Sequence, residues 1–366
     1  MAKPFVMTDK LCVYSAADLQ SRVRRRAGET KLGERMRALP GKQSWIDEIA
    51  VAPAKFVLLG LPEDIGIRAN YGRGGAWSAW EPALVALLNM QSNALLDGEE
   101  MLLLGHVDFS DLMHESDSLD LKTREGMEAI RALTAQVDER VWPVIHAIAK
   151  AGKTPIVIGG GHNNAFPILR GMAEGRVAGN SAQEKSLNVL NLDAHSDLRA
   201  MEGRHSGNGF RYAWEGGYID RYCIAGLQQQ YISAAGLEFL RENEQRIKAL
   251  SFEELFIYNS SADAIRNSVE TARDFFGTTA TGIEIDLDLV QNTPSSAKTP
   301  SGISPNQARQ FTYLAAKELN AAYLHLAEAA PVLSHIKADN KTGKLLAFLV
   351  TDFVKGEINF TSQKFT

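Results

Sequence analysis

The feature that most constrains this chain is an alternation along its length. Short apolar runs of strand length are each followed by a longer amphipathic stretch. Lys55–Leu59 (KFVLL), Thr154–Ile158 (TPIVI), Leu187–Leu192 (LNVLNL), Ile283–Leu289 (IEIDLDL) and Ala347–Val350 read as buried strands. Gly126–Ala151, Ala234–Ala249, Ser304–Leu319 and Asn320–Ala329 read as helices. Strands separated by helices pair in parallel and carry helices on both faces, so the expected class is α/β with a mainly parallel central sheet. No fixed-period repeat or Pro/Gly/Ser linker divides the body. Residues 1–50 differ from the rest: Ala16–Leu39 is polar and rich in arginine (Arg22, Arg24, Arg25, Arg26, Arg35, Arg37). The expected organisation is an N-terminal extension over 1–50 and one α/β unit over 51–366.

Composition narrows the partners. A net charge of −5 leaves no basic face for a nucleic-acid backbone or an anionic membrane. Two cysteines among 366 residues make neither a disulfide scaffold nor a thiolate zinc site, and they suit a reducing compartment. Polar residues precede any apolar run, and no stretch approaches ~18 apolar residues, so neither a signal peptide nor a transmembrane helix is expected. The expected location is the cytoplasm.

In a parallel sheet, ligands gather beyond the carboxyl ends of the strands. Three of these ends carry chemistry. Thr154–Ile158 runs into Gly159-Gly160-Gly161-His162, which taken alone fits an ordinary tight turn. Leu187–Leu192 runs into Asp193-Ala194-His195-Ser196-Asp197, which fits either a solvated turn with a helix cap or a set of metal ligands. In Glu284-Ile285-Asp286-Leu287-Asp288-Leu289, acidic and apolar residues alternate, so a continuing strand would point Asp286 and Asp288 to one side. Like charges at that spacing are costly to desolvate unless a cation neutralises them. Together the ends supply four aspartates and two histidines, a charge of −4 that two divalent cations balance. Oxygen and nitrogen ligands without thiolate favour Mn²⁺, with Ni²⁺, Fe²⁺ or Co²⁺ as alternatives.

These motifs, in this order, resemble those of the ureohydrolase superfamily of arginases, agmatinases and formimidoylglutamases, and the likeness runs from about Gly60 to Pro331. The resemblance implies an arginase-like three-layer fold and a two-cation centre. His162, Asp193, Asp197 and Asp286 would hold one ion, and Asp193, His195, Asp286 and Asp288 the other. Gly161 stands where the family usually has aspartate, a loss that would weaken metal retention. Gly60–Ala76 (GLPEDIGIRANYGRGGA) looks closest to the N-terminal signature of formimidoylglutamases, with Arg68 and Arg73 bracing the loop. Ser206-Gly207-Asn208 looks like a substrate-carboxylate loop. Glu328 resembles the glutamate that receives the substrate's amidinium, although Ala330 replaces an asparagine.

Phe210 occupies the position of the arginase proton-shuttle histidine; His205 lies near it in sequence without aligning. Its loss disfavours a true arginase, because an alkylamine leaving group must be protonated as it departs. The resemblance thus implies a binuclear metal-dependent hydrolase of linear amidines, with N-formimidoyl-L-glutamate as substrate and L-glutamate and formamide as products. Asp197 and Glu328 would be catalytic, while Arg199, Ser206, Asn208 and Glu328 would hold the substrate. Other readings keep the fold and change the substrate to a guanidino compound, releasing urea, or retain the fold without catalysis. The family resemblance also implies a homo-oligomer.

Overall fold

The fold is described from a computed structural model over residues 10–180, 184–258, 261–334 and 340–363. Ten strands form one sheet: β1 Leu11–Val13, β2 Arg37–Ala38, β3 Phe56–Gly60, β4 Met101–Val107, β5 Thr154–Ile158, β6 Leu187–Leu192, β7 Ile219–Leu227, β8 Ile247–Ser251, β9 Thr281–Asp286 and β10 Ala321–Ala327. Their order is β1-β4-β3-β5-β10-β9-β6-β7-β8, with β2 also pairing with β4. Every pairing is parallel except β1 with β4.

Side chains alternate across the sheet and divide the core in two. Phe56, Leu58, Ile156, Ile158, Leu190, Ile283 and Leu324 pack on one face with helices Trp80–Leu88, Ala264–Phe276, Pro305–Glu318 and Lys341–Gln363. Val57, Leu59, Val157, Val189 and Ile224 pack on the other with helices Arg124–Lys150 and Ala165–Gly179. The expected three-layer α/β arrangement is the one observed. Its helices begin where the sequence supplies caps. Thr123 Oγ1 accepts from Gly126 N at 3.0 Å. Ser304 and Gln307 form a reciprocal capping box around Pro305, whose missing N–H is no loss in a first turn.

The strand readings at Thr154–Ile158 and Leu187–Leu192 match β5 and β6. Other readings need correction. Asn320–Ala329 is not a helix: Ala321–Ala327 is β10, at the centre of the sheet between β5 and β9. Its alanines and leucines favour a helix locally, but burial between two strands overrides that preference. Ala347–Val350 is not a strand and lies within helix Lys341–Gln363. Leu345, Leu346, Leu349, Val350 and Phe353 are buried on one stripe while Phe348 is exposed, and a short apolar run cannot distinguish the two cases. Ala234–Ala249 splits into helix Ala234–Glu242 and β8. The strand Ile283–Leu289 stops at Asp286, and a single 3₁₀ turn, Leu287–Leu289, follows. Residues 11–13 and 37–38, within the arginine-rich N-terminal part, add strands beside β4.

Candidate metal centre and substrate pocket

The carboxyl ends of β5, β6, β9 and β10 converge on a cavity of about 350 Å³. Each side chain is placed by the end of its strand. After β5, Gly159 and Gly160 take φ of +93° and +77°, a left-handed pair that folds the backbone back under the rim and delivers His162 inward. His162 Nδ1 lies 3.1 Å from Asp197 Oδ2 and Asp286 Oδ2 and 3.2 Å from Asp193 Oδ2. A second group, His195, Asp286 and Asp288, brings its donor atoms within 4.8 Å of one another. His195 Nδ1 is also 3.5 Å from Asp193 Oδ1. The six residues singled out in the sequence are thus gathered around one spot. Asp286 and Asp288 get there by a turn rather than by strand alternation: Asp286 Oδ1 accepts from Asp288 N at 2.7 Å and caps the 3₁₀ turn.

The groups disturb one another strongly. Burial and the charges of Asp193 and Asp288 push the Asp286 carboxyl well above the usual range. Burial and Asp193 raise Asp197, and burial raises Asp288. Burial would lower His195, but Asp193, Asp197 and Asp288 lift it to about 10. Burial opposes ionisation of Asp193 as well, yet hydrogen bonding to His162 and His195 pulls it below the carboxylate range. Four buried carboxylates facing two imidazoles form a donor set that divalent cations fit, since cations would relieve this crowding. His162, Asp193, Asp197 and Asp286 could hold one ion; His195, Asp286 and Asp288, with Asp193 beside them, could hold a second.

Glu328 follows β10 with φ +66°, a conformation rare outside glycine. Its backbone N donates to Gly160 O at 3.0 Å. Its Oε1 accepts from His162 N at 2.8 Å, and its Oε2 lies 2.5 Å from Ser296 Oγ. Burial and the Asp288 and Asp286 charges push its carboxyl well up. Elsewhere in the lining, Arg199 Nη1 donates to Asn70 Oδ1 at 3.1 Å, and Asn70 Nδ2 donates to Ser206 Oγ at 3.3 Å. Among the described residues that line the cavity, Arg199 is the only lysine or arginine.

Asn208 does not reach this pocket. It is fully buried, its Oδ1 accepts from Arg204 Nη1 and His205 N, and its Nδ2 donates to Ala200 O and Gly203 O. Every polar atom of the amide is occupied in shaping the loop. Gly161 is not an empty place either. A Cβ there would lie 2.5 Å from Asn163 Oδ1 and 2.7 Å from Ile67 Cγ1, so an aspartate would require both side chains to move. The buried Glu63 carboxylate organises this turn instead, accepting from Gly161 N, Asn163 Nδ2 and Asn164 Nδ2 at 3.1, 3.2 and 2.6 Å. Phe210 packs its ring against His162 and Tyr222, with centroids 5.0 and 4.8 Å away. Arg68 braces its loop through Asp64 and Asp117, each at 2.9 Å.

Sequence reasoning missed Asn70, Tyr231, Ser296, Glu63 and Glu284. Tyr231, half exposed at the mouth, lays its ring 4.8 Å from that of His195. Glu284 carried a readable signal, as the first acidic residue of the alternating E-I-D-L-D run, and Glu63 and Asn70 lay within the Gly60–Ala76 signature.

The sequence profile of the Arginase family matches residues 54–355. The chain is 30% identical to a formimidoylglutamase of Aromatoleum aromaticum over 315 residues, 82% of each chain. It is 28% identical to a formimidoylglutamase of Ralstonia nicotianae over 312 residues, 82% of this chain and 84% of that one. Among solved structures, formiminoglutamase of Trypanosoma cruzi with Mn²⁺ superposes with a TM-score of 0.67 at 20% identity, covering 90% of this chain and 98% of that one. Formimidoylglutamase of Bacillus subtilis gives 0.69 at 15% identity, covering 91% and 93%. At these identities the superpositions speak for the fold.

Proposed function

The chain belongs to the arginase family, and on that premise we propose that it hydrolyses N-formimidoyl-L-glutamate to L-glutamate and formamide. The observation that carries this reading is the composition of the pocket: ligand-type carboxylates at its base and an arginine in its lining. Phe210, at the position the resemblance gives to a proton shuttle, packs behind His162 instead. The formimidoylglutamases matched over 82% of the chain support the same substrate.

Two divalent cations, one held by His162, Asp193, Asp197 and Asp286 and the other by Asp193, His195, Asp286 and Asp288, would supply a more acidic water and stabilise developing negative charge. Mn²⁺ fits this thiolate-free set, with Ni²⁺, Fe²⁺ and Co²⁺ as alternatives. Glu328, fixed by His162 N and Ser296, receives the cationic amidinium. Arg199 and Ser206, linked through Asn70, hold the glutamate carboxylates, for which a guanidinium offers a two-pronged contact. Asn208 keeps the loop in shape. Asp197 accepts a hydrogen bond from the attacking water. The water oxygen joins the formimidoyl carbon, the bond from that carbon to the glutamate nitrogen breaks, and a proton passes to the departing nitrogen. Residues 51–366 form the catalytic unit and 1–50 an extension of it. Homo-oligomeric assembly in the cytoplasm belongs to the same reading, and mass in solution tests the assembly. Among the described residues no helix is long and apolar enough to cross a membrane.

The decisive experiment offers Mn²⁺-loaded protein formimidoylglutamate, arginine, agmatine, guanidinobutyrate and guanidine, with metal content measured on the same sample. Glutamate and formamide from the first substrate alone are expected. Urea from any guanidino compound would replace the substrate, and no turnover with two ions bound would make the chain a non-catalytic relative.

A further inference from the structure

Behind His162, away from the aspartates, lies a polar group that the proposed chemistry does not use. Glu284 precedes Asp286 by two residues on β9 and therefore points to the same side of the sheet. Its Oε2 lies 3.4 Å from His162 Nε2. The neighbouring strand β10 places His325 beside Glu284 in register and Tyr323 two residues before it. His325 Nδ1 is 2.6 Å from Glu284 Oε2, and Tyr323 Oη donates to Glu284 Oε1 at 2.6 Å. Room for the Tyr323 ring exists because residue 282 is glycine; a Cβ there would lie 2.3 Å from the ring. Glu284, Tyr323 and His325 are all completely buried.

We propose that Glu284 is a positioning residue: held by Tyr323 and His325, its carboxylate faces His162 Nε2–H and so turns the Nδ1 lone pair toward the three aspartates. An imidazole binds a cation through one nitrogen in its neutral form, and the partner of the other nitrogen decides which one it is. His162 Nε2 is buried and makes no hydrogen bond within standard geometry, and Glu284 Oε2, 3.4 Å away, is the carboxylate it faces among the described residues. Phe210 meets the ring edge-on from one side and His325 from another, with centroids at 5.0 and 5.8 Å, so its plane is fixed while its tautomer is not. The carboxylate supplies that missing choice. A purely structural role is a poor account of the group, because a buried carboxylate surrounded by three polar partners is generally no more stable than an apolar cluster of the same volume.

This inference rests on the two-cation reading, and its test separates the two. The full chain, freed of metal by chelation, is titrated with Mn²⁺ while free ion is followed by its electron paramagnetic resonance signal. The wild type is expected to take up two ions. Glu284→Gln should weaken one of them by about 10- to 100-fold, the range for partners of ligating histidines, and leave the other within about threefold. Tyr323→Phe, which removes one hydrogen bond and leaves the carboxylate, should weaken the same ion less. If Glu284→Gln does not fold, as judged by near-ultraviolet circular dichroism, Tyr323→Phe decides alone. Unchanged affinities, or equal weakening of both ions, would overturn the role of Glu284. A wild type that binds fewer than two ions would overturn the two-cation reading itself.

Discussion

The two ends of the same strands make a useful pair. At their carboxyl ends, β5, β6, β9 and β10 surround about 350 Å³ with buried aspartates, histidines and Glu328. At the amino ends of β5 and β10 lies a larger cleft of about 480 Å³, lined by Lys150, Lys153, Arg176 and Asn320. Size points to the wrong end. What separates them is the work done against electrostatics and backbone preference. The carboxyl end buries like charges that raise one another's pKa, and it holds Asp197 and Glu328 at φ +49° and +66°. Tyr71, next to Asn70, is a third non-glycine residue at positive φ. Such arrangements each cost on the order of 1–3 kcal/mol and persist where the surrounding structure enforces them. The amino end leaves Lys150 in solvent, and burial there only lowers the pKa of the cations Lys153 and Arg176.

Four measurements sharpen or break this contrast. The largest effect is expected from Asp288→Ala, which should release one ion and lower turnover by about 10³-fold or more, the several kcal/mol a divalent cation contributes; full activity with one ion lost would end the two-cation mechanism. Arg199→Gln should raise KM for formimidoylglutamate by about 10- to 100-fold with little change in kcat, because it removes a charged hydrogen-bonding partner worth about 1.5–3 kcal/mol. An unchanged KM would place the carboxylate elsewhere.

A third test uses acid. Burial, then Arg131, Arg199 and Arg204, holds the His205 imidazole down at about 3 in the folded chain. Its value in the unfolded chain is about 6.5, so between those limits the unfolded state binds more protons. The stability is therefore complete above about pH 6.5 and lost progressively as pH falls toward 3, about 2 kcal/mol by pH 5. Denaturant unfolding of wild type and His205→Gln at pH 7 and pH 5 should show this pH-dependent difference vanishing in the variant. The smallest effect belongs to the other end of the strands: Lys150→Gln should alter stability by no more than about 0.5 kcal/mol and leave kcat/KM unchanged. A loss of activity there would undo the contrast.

Much of this was legible in the sequence where local pattern and tertiary fate agree. β5 and β6 are apolar runs ended by glycines or by a polar turn, and buried strands leave little else for such runs to become. The carboxylates and imidazoles after them stood out because so many charged groups rarely follow buried strands. β10 was misread because an alanine- and leucine-rich segment becomes a strand only through the neighbours it pairs with, β5 more than 160 residues earlier in the chain and β9 about 40. Asn208 was misjudged because sequence gives a side chain's type and not its direction. Glu63 and Asn70 lay within a stretch singled out as a signature, but their partners Asn163 and Arg199 come from distant segments.

The position of β10 also bears on how the molecule is made. Among the described residues, its pairings are the sole link in the sheet between the block β1-β4-β3-β5 and the block β9-β6-β7-β8. Until residues 321–327 have been synthesised, each block presents a bare edge of the kind that pairs with other chains. Sequence separations this long also slow folding, because the entropy of closing the loop must be overcome before the contacts form. Nascent and heat-perturbed chains should therefore be most prone to aggregation at the edges of β5 and β9, which the finished protein covers with β10.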